Sequence, residues 1–128
     1  MSYLLDTHTF VWAATLDKRL SPKAQSLIEE RSNKVFVSPV SLFEMSTKHR
    51  LGKWPEVAQL LKIYSTLIEA LEFESLPLQD AHAVLAGSYP QDHRDPFDRL
   101  LIAQAQHEKL SIISRDAAFT AFEPQVIW

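Results

Sequence analysis

The sequence predicts an α/β fold, with a mainly parallel sheet carrying helices on both faces. Three observations support it. Short strand-like runs alternate with helical stretches along the whole chain. Prolines stand where helices begin, as at Pro22, Pro39, Pro55 and Pro96. Only two glycines occur in 128 residues, which suits many helical turns and few hairpins.

In order, residues 2–6 read as a short buried strand and 8–15 as a helix. Ser21-Pro22 supplies an N-cap and a first-turn proline for a helix to about Arg31. Residues 34–38 form the second strand. Pro39 opens a helix that Gly52 stops, and Pro55 opens a long one to about Glu72. Residues 73–76 make a short third strand limited by Pro77. Helices follow at about 80–88 and 96–109. Ser111–Ser114 is the fourth strand, 117–121 a short helix, and 125–128 an edge strand. No repeat or interdomain linker interrupts this pattern, and the length suits one domain.

The 46% hydrophobic and 23% charged fractions are ordinary for a soluble globular chain. No apolar run is long enough to cross a bilayer, and no signal peptide is read. The absence of cysteine excludes a disulfide framework, a thiolate zinc site and a Cys nucleophile. A cytoplasmic location is the expectation. A net charge of -3 excludes a generic basic nucleic-acid binder. The cluster Lys48-His49-Arg50 with Lys53 reads first as a solvated helix face.

Four acids stand beside apolar residues where strands end or helices begin: Asp6, Glu44, Asp98 and Asp116. In such places a carboxylate is either a helix cap or a ligand for a hard cation. In parallel sheets, ligands bind at the carboxyl edge. Asp6 and Asp116 end strands, and Glu44 lies early in a helix that follows one, so these three should share that edge. Asp98 follows a helix and is not placed there by topology.

Each acid also has a purely structural reading. Asp6 could cap the first helix, although Thr7 and Thr9 could do so equally well. Glu44 could pair with Lys48 at i,i+4, but it flanks an apolar stripe of Val40, Phe43, Thr47 and Leu51, where a carboxylate needs a partner. Asp98 could favour the helix dipole behind Asp95 as N-cap, yet it points along Leu101, Ile102 and Ala105. Asp116 could cap the turn at Ala117, with Ser114 as a supporting hydroxyl or merely the strand's last residue. The five histidines show no paired metal-ligand spacing. His93-Arg94 could touch a phosphate or simply form a turn. Trp12, Trp54 and Trp128 read as packing residues.

Taken together, the chain resembles a PIN-domain ribonuclease, and more closely the VapC toxins of type II toxin–antitoxin pairs. The matching segments are Leu4-Leu5-Asp6-Thr7-His8, Ser41-Leu42-Phe43-Glu44-Met45 leading to Lys48–Lys53, His93–Ala105 with Asp95-Pro96-Phe97-Asp98-Arg99, and Ser114-Arg115-Asp116. The resemblance covers essentially residues 1–128, as one PIN-like domain, and residues 93–105 are its most specific part. It implies a three-layer α/β/α sandwich and an acidic Mg²⁺ or Mn²⁺ site formed by Asp6, Glu44, Asp98 and Asp116. Asp95 falls outside the usual set and reads as supporting. The spacing at Ser114-Arg115-Asp116 is tighter than in many relatives, which leaves Asp116 to reach the metal through water. The resemblance further implies endonucleolytic cleavage of RNA, a VapB-like antitoxin and a homodimer. Lys48, Arg50, Arg94 and Arg99 are candidate contacts to the RNA backbone. An oxygen-rich donor set without Cys or clustered His is consistent with Mg²⁺ or Mn²⁺ over zinc.

Other functions fit less well. A receiver-type phosphoacceptor would want paired acids after the first strand and a lysine near the end. An aspartate-nucleophile phosphatase would want Asp-x-Asp, which Asp6-Thr7-His8 lacks. A catalytically silent RNA- or antitoxin-binding module is the main alternative outside enzymes.

Overall fold

The computed structural model describes residues 1–128. Five strands form one sheet: β1 (Ser2–Leu5), β2 (Lys34–Val37), β3 (Glu74–Ser75), β4 (Ser111–Ile113) and β5 (Val126–Ile127). Their spatial order is β3-β2-β1-β4-β5, and every pairing is parallel. Six helices surround the sheet: α1 (Thr7–Thr15), α2 (Pro22–Glu29), α3 (Pro39–Arg50), α4 (Ala58–Ala70), α5 (Asp80–Ser88) and α6 (Pro96–Glu108). Short 3₁₀ segments lie at Pro55–Val57 and Ala117–Ala121. No helix is long and apolar enough to cross a membrane.

Strand alternation builds the two cores that flank the sheet. Tyr3, Leu5, Val35, Val37 and Ile113 pack in one cluster with Phe10, Trp12 and Leu60. Leu4 and Ile112 pack in the other with Leu101, Ile102 and Ala105 of α6. The three-layer α/β/α sandwich follows directly from that alternation.

Most element ends fall one or two residues from expectation, and two differences go further. The helix expected from Pro55 begins as a 3₁₀ turn and becomes α-helical at Ala58. The third strand shrinks to Glu74–Ser75, both exposed, as suits an edge strand next to Pro77. Helix ends also expose a shortage of glycine. Gly52 closes α3 at φ +73°, but Leu16, Glu72 and Lys109 take the same left-handed conformation with a Cβ in place.

Strand order places the functional edge. The chain runs outward from β1 to β2 and β3, then returns to the opposite side of β1 as β4. The carboxyl ends of β1 and β4 therefore border a topological switch point, the crevice where α/β sheets bind ligands. Asp6 leaves β1 there and Ser114 leaves β4 there, tied by the Asp6 N–H to Ile113 carbonyl bond of 3.3 Å.

Candidate active site

The crevice is a cleft of about 330 Å³. Asp6, Glu44, Asp98 and Asp116 all line it, together with Asp95. Only Lys48 and Arg115 bring positive charge to its wall, so five carboxylates face two fixed cations. Acids separated by up to 110 positions in sequence thus share one space.

Asp6 is buried and does two jobs. Its Oδ1 accepts the Thr9 N–H at 2.8 Å and caps α1, and its Oδ2 accepts the Ser114 hydroxyl at 2.5 Å. Burial raises its pKa, while the Ser114 and Thr9 hydrogen bonds oppose that rise. Ser114 Oγ also accepts the Asp116 N–H at 3.0 Å, so one hydroxyl links the first and last acidic segments.

Glu44 is 3% exposed. Its Oε1 accepts the Thr7 hydroxyl at 2.7 Å, and Lys48 Nζ lies 2.5 Å from its Oε2. The expected i,i+4 pair is therefore real, but it is part of the cleft wall and not a solvated surface pair. The expected apolar stripe on α3 is corrected. Phe43 and Leu51 are 65% and 51% exposed, and the buried face runs through Val40, Ser41, Glu44 and Met45. Glu44 lies on that face instead of flanking it, because the helix turns its polar residues toward the cleft.

Asp98 is perturbed as well. Its pKa is pushed up to about 7, first by burial and then by the charges of Asp95 and Glu44, while the His93 hydrogen bond opposes the rise. His93 Nε2 lies 2.9 Å from Asp98 Oδ2. Asp95 caps α6, accepting the N–H groups of Phe97 and Asp98 at 2.9 and 3.2 Å. Asp116 is exposed and its Oδ1 accepts the Ala118 N–H at 2.9 Å.

Three basic residues depart from expectation. Arg99 does not face the cleft: its guanidinium donates to the carbonyls of Ala86, Gln91, His93 and Tyr89 at 2.7–3.1 Å. It clamps the segment that carries His93, since a planar five-donor fork suits converging carbonyls. Arg94 is 93% exposed beside Asp92, and Arg50 is exposed at the end of α3; neither lines the cleft. Lys48 does line it. Sequence reading undervalued His93, although its five-residue offset from Asp98 within one turn–helix segment was a usable signal. Arg115 and His8 also line the cleft, and each adjoins an acidic motif.

As the side chains stand, no three of the cleft acids bring one oxygen each within 4.8 Å of one another; His82, His107 and Glu108 do meet that spacing. That trio is poorly suited to a metal. The Gln79 N–H donates to His82 Nδ1 at 3.0 Å, which puts the proton on Nε2, pointing at Glu108 Oε1 3.1 Å away. The nitrogen nearest Glu108 thus has no lone pair to give, and the trio ties α5 to α6. The cleft acids suit a hard divalent cation better. Burial first, and the charges of Asp95 and Glu44 after it, drive Asp98 toward its neutral form, and a bound cation would favour the carboxylate. At their present spacing the cleft acids would hold Mg²⁺ or Mn²⁺ only with water completing part of its shell, as Mg²⁺ commonly allows.

Comparison with known proteins identifies the class. The PIN domain family model matches residues 3–123, and the chain belongs to that family. PIN domains are generally nucleases. The fold recurs in solved toxin–antitoxin structures. In the VapBC2 structure from Rickettsia felis, bound to a promoter DNA fragment, the similar chain gives a TM-score of 0.72 at 15% identity, covering 99% of this chain and 98% of that one. A FitAcB chain from Neisseria gonorrhoeae gives 0.67 at 19% identity, covering 98% and 96%. A VapBC-1 chain from nontypeable Haemophilus influenzae gives 0.61 at 16%, covering 99% and 97%. No curated protein sequence matches the chain.

Proposed function

We propose that this chain is a metal-dependent endoribonuclease, the VapC-type toxin of a VapBC-like pair. The observation that carries the reading is the convergence of Asp6, Glu44, Asp98 and Asp116 on one cleft at the switch point. Asp6, Glu44 and Asp98 would hold Mg²⁺ or Mn²⁺, with Asp116 contributing through water. Such an ion supplies activation of water and charge stabilisation for attack on a phosphodiester.

The chain's own residues prepare that site. Ser114 fixes the Asp6 carboxylate, and Thr7 fixes that of Glu44. Lys48 neutralises Glu44 and lies where a phosphate oxygen would approach. His93 orients Asp98, and Arg99 holds the segment bearing His93. Fixed donors and charges of this kind stabilise developing negative charge without reorganising during reaction.

The antitoxin assignment rests on the toxin–antitoxin neighbours. Association is also supported by two exposed apolar residues, Phe43 on the same helix as Glu44 and Leu51 just past its end. A homodimer and a VapB-like antitoxin are the partners of this reading, and RNA is the substrate.

The test compares the intact chain with Asp6→Asn and Asp98→Asn variants on RNA, with Mg²⁺, with Mn²⁺ and with EDTA. Cleavage should require the ion and both carboxylates. Survival of cleavage in EDTA, or equal cleavage by the variants, would exclude the mechanism.

A further inference from the structure

A second groove of about 670 Å³ adjoins the acidic cleft, and the two share His8, Trp12 and Lys48 on their walls. Its character differs from that of the cleft. Arg19 pairs with Asp17 and Lys48 with Glu44, which leaves Lys53 and Glu56 near balance in the groove, where the cleft is strongly negative.

Aromatic rings organise this groove. The His8 imidazole stacks on the Trp54 indole, with centroids 4.6 Å apart and planes 25° from parallel. His8 is exposed and Trp54 half-buried, so the stack ends in solvent. Trp12, 4% exposed, is covered by two guanidinium groups, Arg115 at 4.6 Å and Arg19 at 5.0 Å from its centroid. These contacts hold cations at the junction of cleft and groove. No carboxylate lies within ion-pair distance of Lys53 or Arg115. Trp54, read from sequence as a packing residue, does pack against the core, and it backs the His8 ring, whose exposed face ends the stack.

An exposed aromatic stack beside unpaired cations is the arrangement that holds a single-stranded nucleic acid: bases stack, and cations track the backbone. A duplex buries its base faces and cannot extend such a stack. We propose that this groove binds a nucleotide flanking the scissile phosphate of an unpaired RNA strand. Its base extends the His8–Trp54 stack and its phosphate lies against Lys53. The inference rests on the nuclease reading and adds a subsite to it.

Two measurements on the full chain test it. In Mg²⁺, steady-state cleavage of an unstructured ten-nucleotide RNA is compared for Trp54→Ala, Trp54→Phe and Lys53→Glu. Trp54→Ala should raise KM about 5- to 100-fold with little change in kcat, as loss of one stacked base implies. Trp54→Phe should recover most of that loss. Lys53→Glu, at an exposed position away from the core, should raise KM in a salt-dependent way. In parallel, anisotropy of the labelled RNA and of its duplex is followed with an Asp98→Asn background. Binding should favour the single strand and weaken on Trp54→Ala.

The outcomes separate the two readings. Ion-dependent cleavage with KM unchanged in folded Trp54→Ala and Lys53→Glu chains would overturn the subsite and leave the nuclease standing. Trp54-dependent RNA binding without any cleavage would overturn the nuclease and leave an RNA-binding groove. Equal binding of duplex and single strand, no RNA binding at all, or a Trp54 response only to raised protein concentration would overturn the subsite.

Discussion

Replacing Asp98 with Asn should stabilise the protein when no metal is present. Asp98 has a pKa of about 7 in the folded chain against an ordinary 3.8, so folding favours its protonated form. As pH rises from about 4 through 7, the folded state must either keep the proton or bear a buried charge, and stability falls. The displacement corresponds to a ceiling of about 4 kcal/mol at pH above 7. The side chain is 15% exposed and keeps its His93 partner, so about 1–2 kcal/mol is the expected gain from Asn. That equals roughly 3–8 °C in melting temperature for a chain of this length. The assay is thermal melting of parent and Asp98→Asn in EDTA at pH 8 and pH 4.5. The variant should melt higher at pH 8, and the gap should close at pH 4.5. Mg²⁺ at pH 8 should raise the parent's melting temperature and leave the variant's nearly unchanged. A variant less stable than the parent at pH 8, or a gap that ignores pH, would refute the claim that burial and neighbouring acids make the Asp98 charge costly.

Three further substitutions separate site from scaffold. Ser114→Ala frees the Asp6 carboxylate and should lower ion affinity or cleavage about 10- to 100-fold with a small change in melting, measured by Mg²⁺-dependence of cleavage. Arg99→Ala removes donors from four carbonyls and should cost about 2–4 kcal/mol in denaturant unfolding, reducing cleavage with it. Leu16→Gly relieves a left-handed Cβ at a residue 82% exposed and should add about 1 kcal/mol by the same unfolding measurement, with cleavage unchanged.

The sheet was legible because each strand was bounded by a helix start with its own chemistry. Ser21-Pro22 and Asp95-Pro96 announce helices, and the observed caps use Ser21 and Asp95. Convergence of Asp6 and Glu44 could be read because both follow strand ends, and strand ends share an edge. Asp98 could not be placed that way, since what brings it to the cleft is the packing of α6 against β1 and β4. Side-chain direction was harder to read. Phe43 and Glu44 are adjacent, so the error of about one helical position on α3 exchanged the solvent face for the cleft face. Arg99 looked like a substrate contact because sequence reports its charge, while its four carbonyl partners lie in an irregular segment with no periodic signal.

The most direct measurement is anomalous diffraction from crystals grown with Mn²⁺. The account predicts a peak in the cleft between Asp6, Glu44 and Asp98, with carboxylate or water oxygens at about 2.0–2.2 Å. A peak at His82, His107 and Glu108 instead, or a cleft that stays free of Mn²⁺ while its acids remain on their present partners, would contradict it.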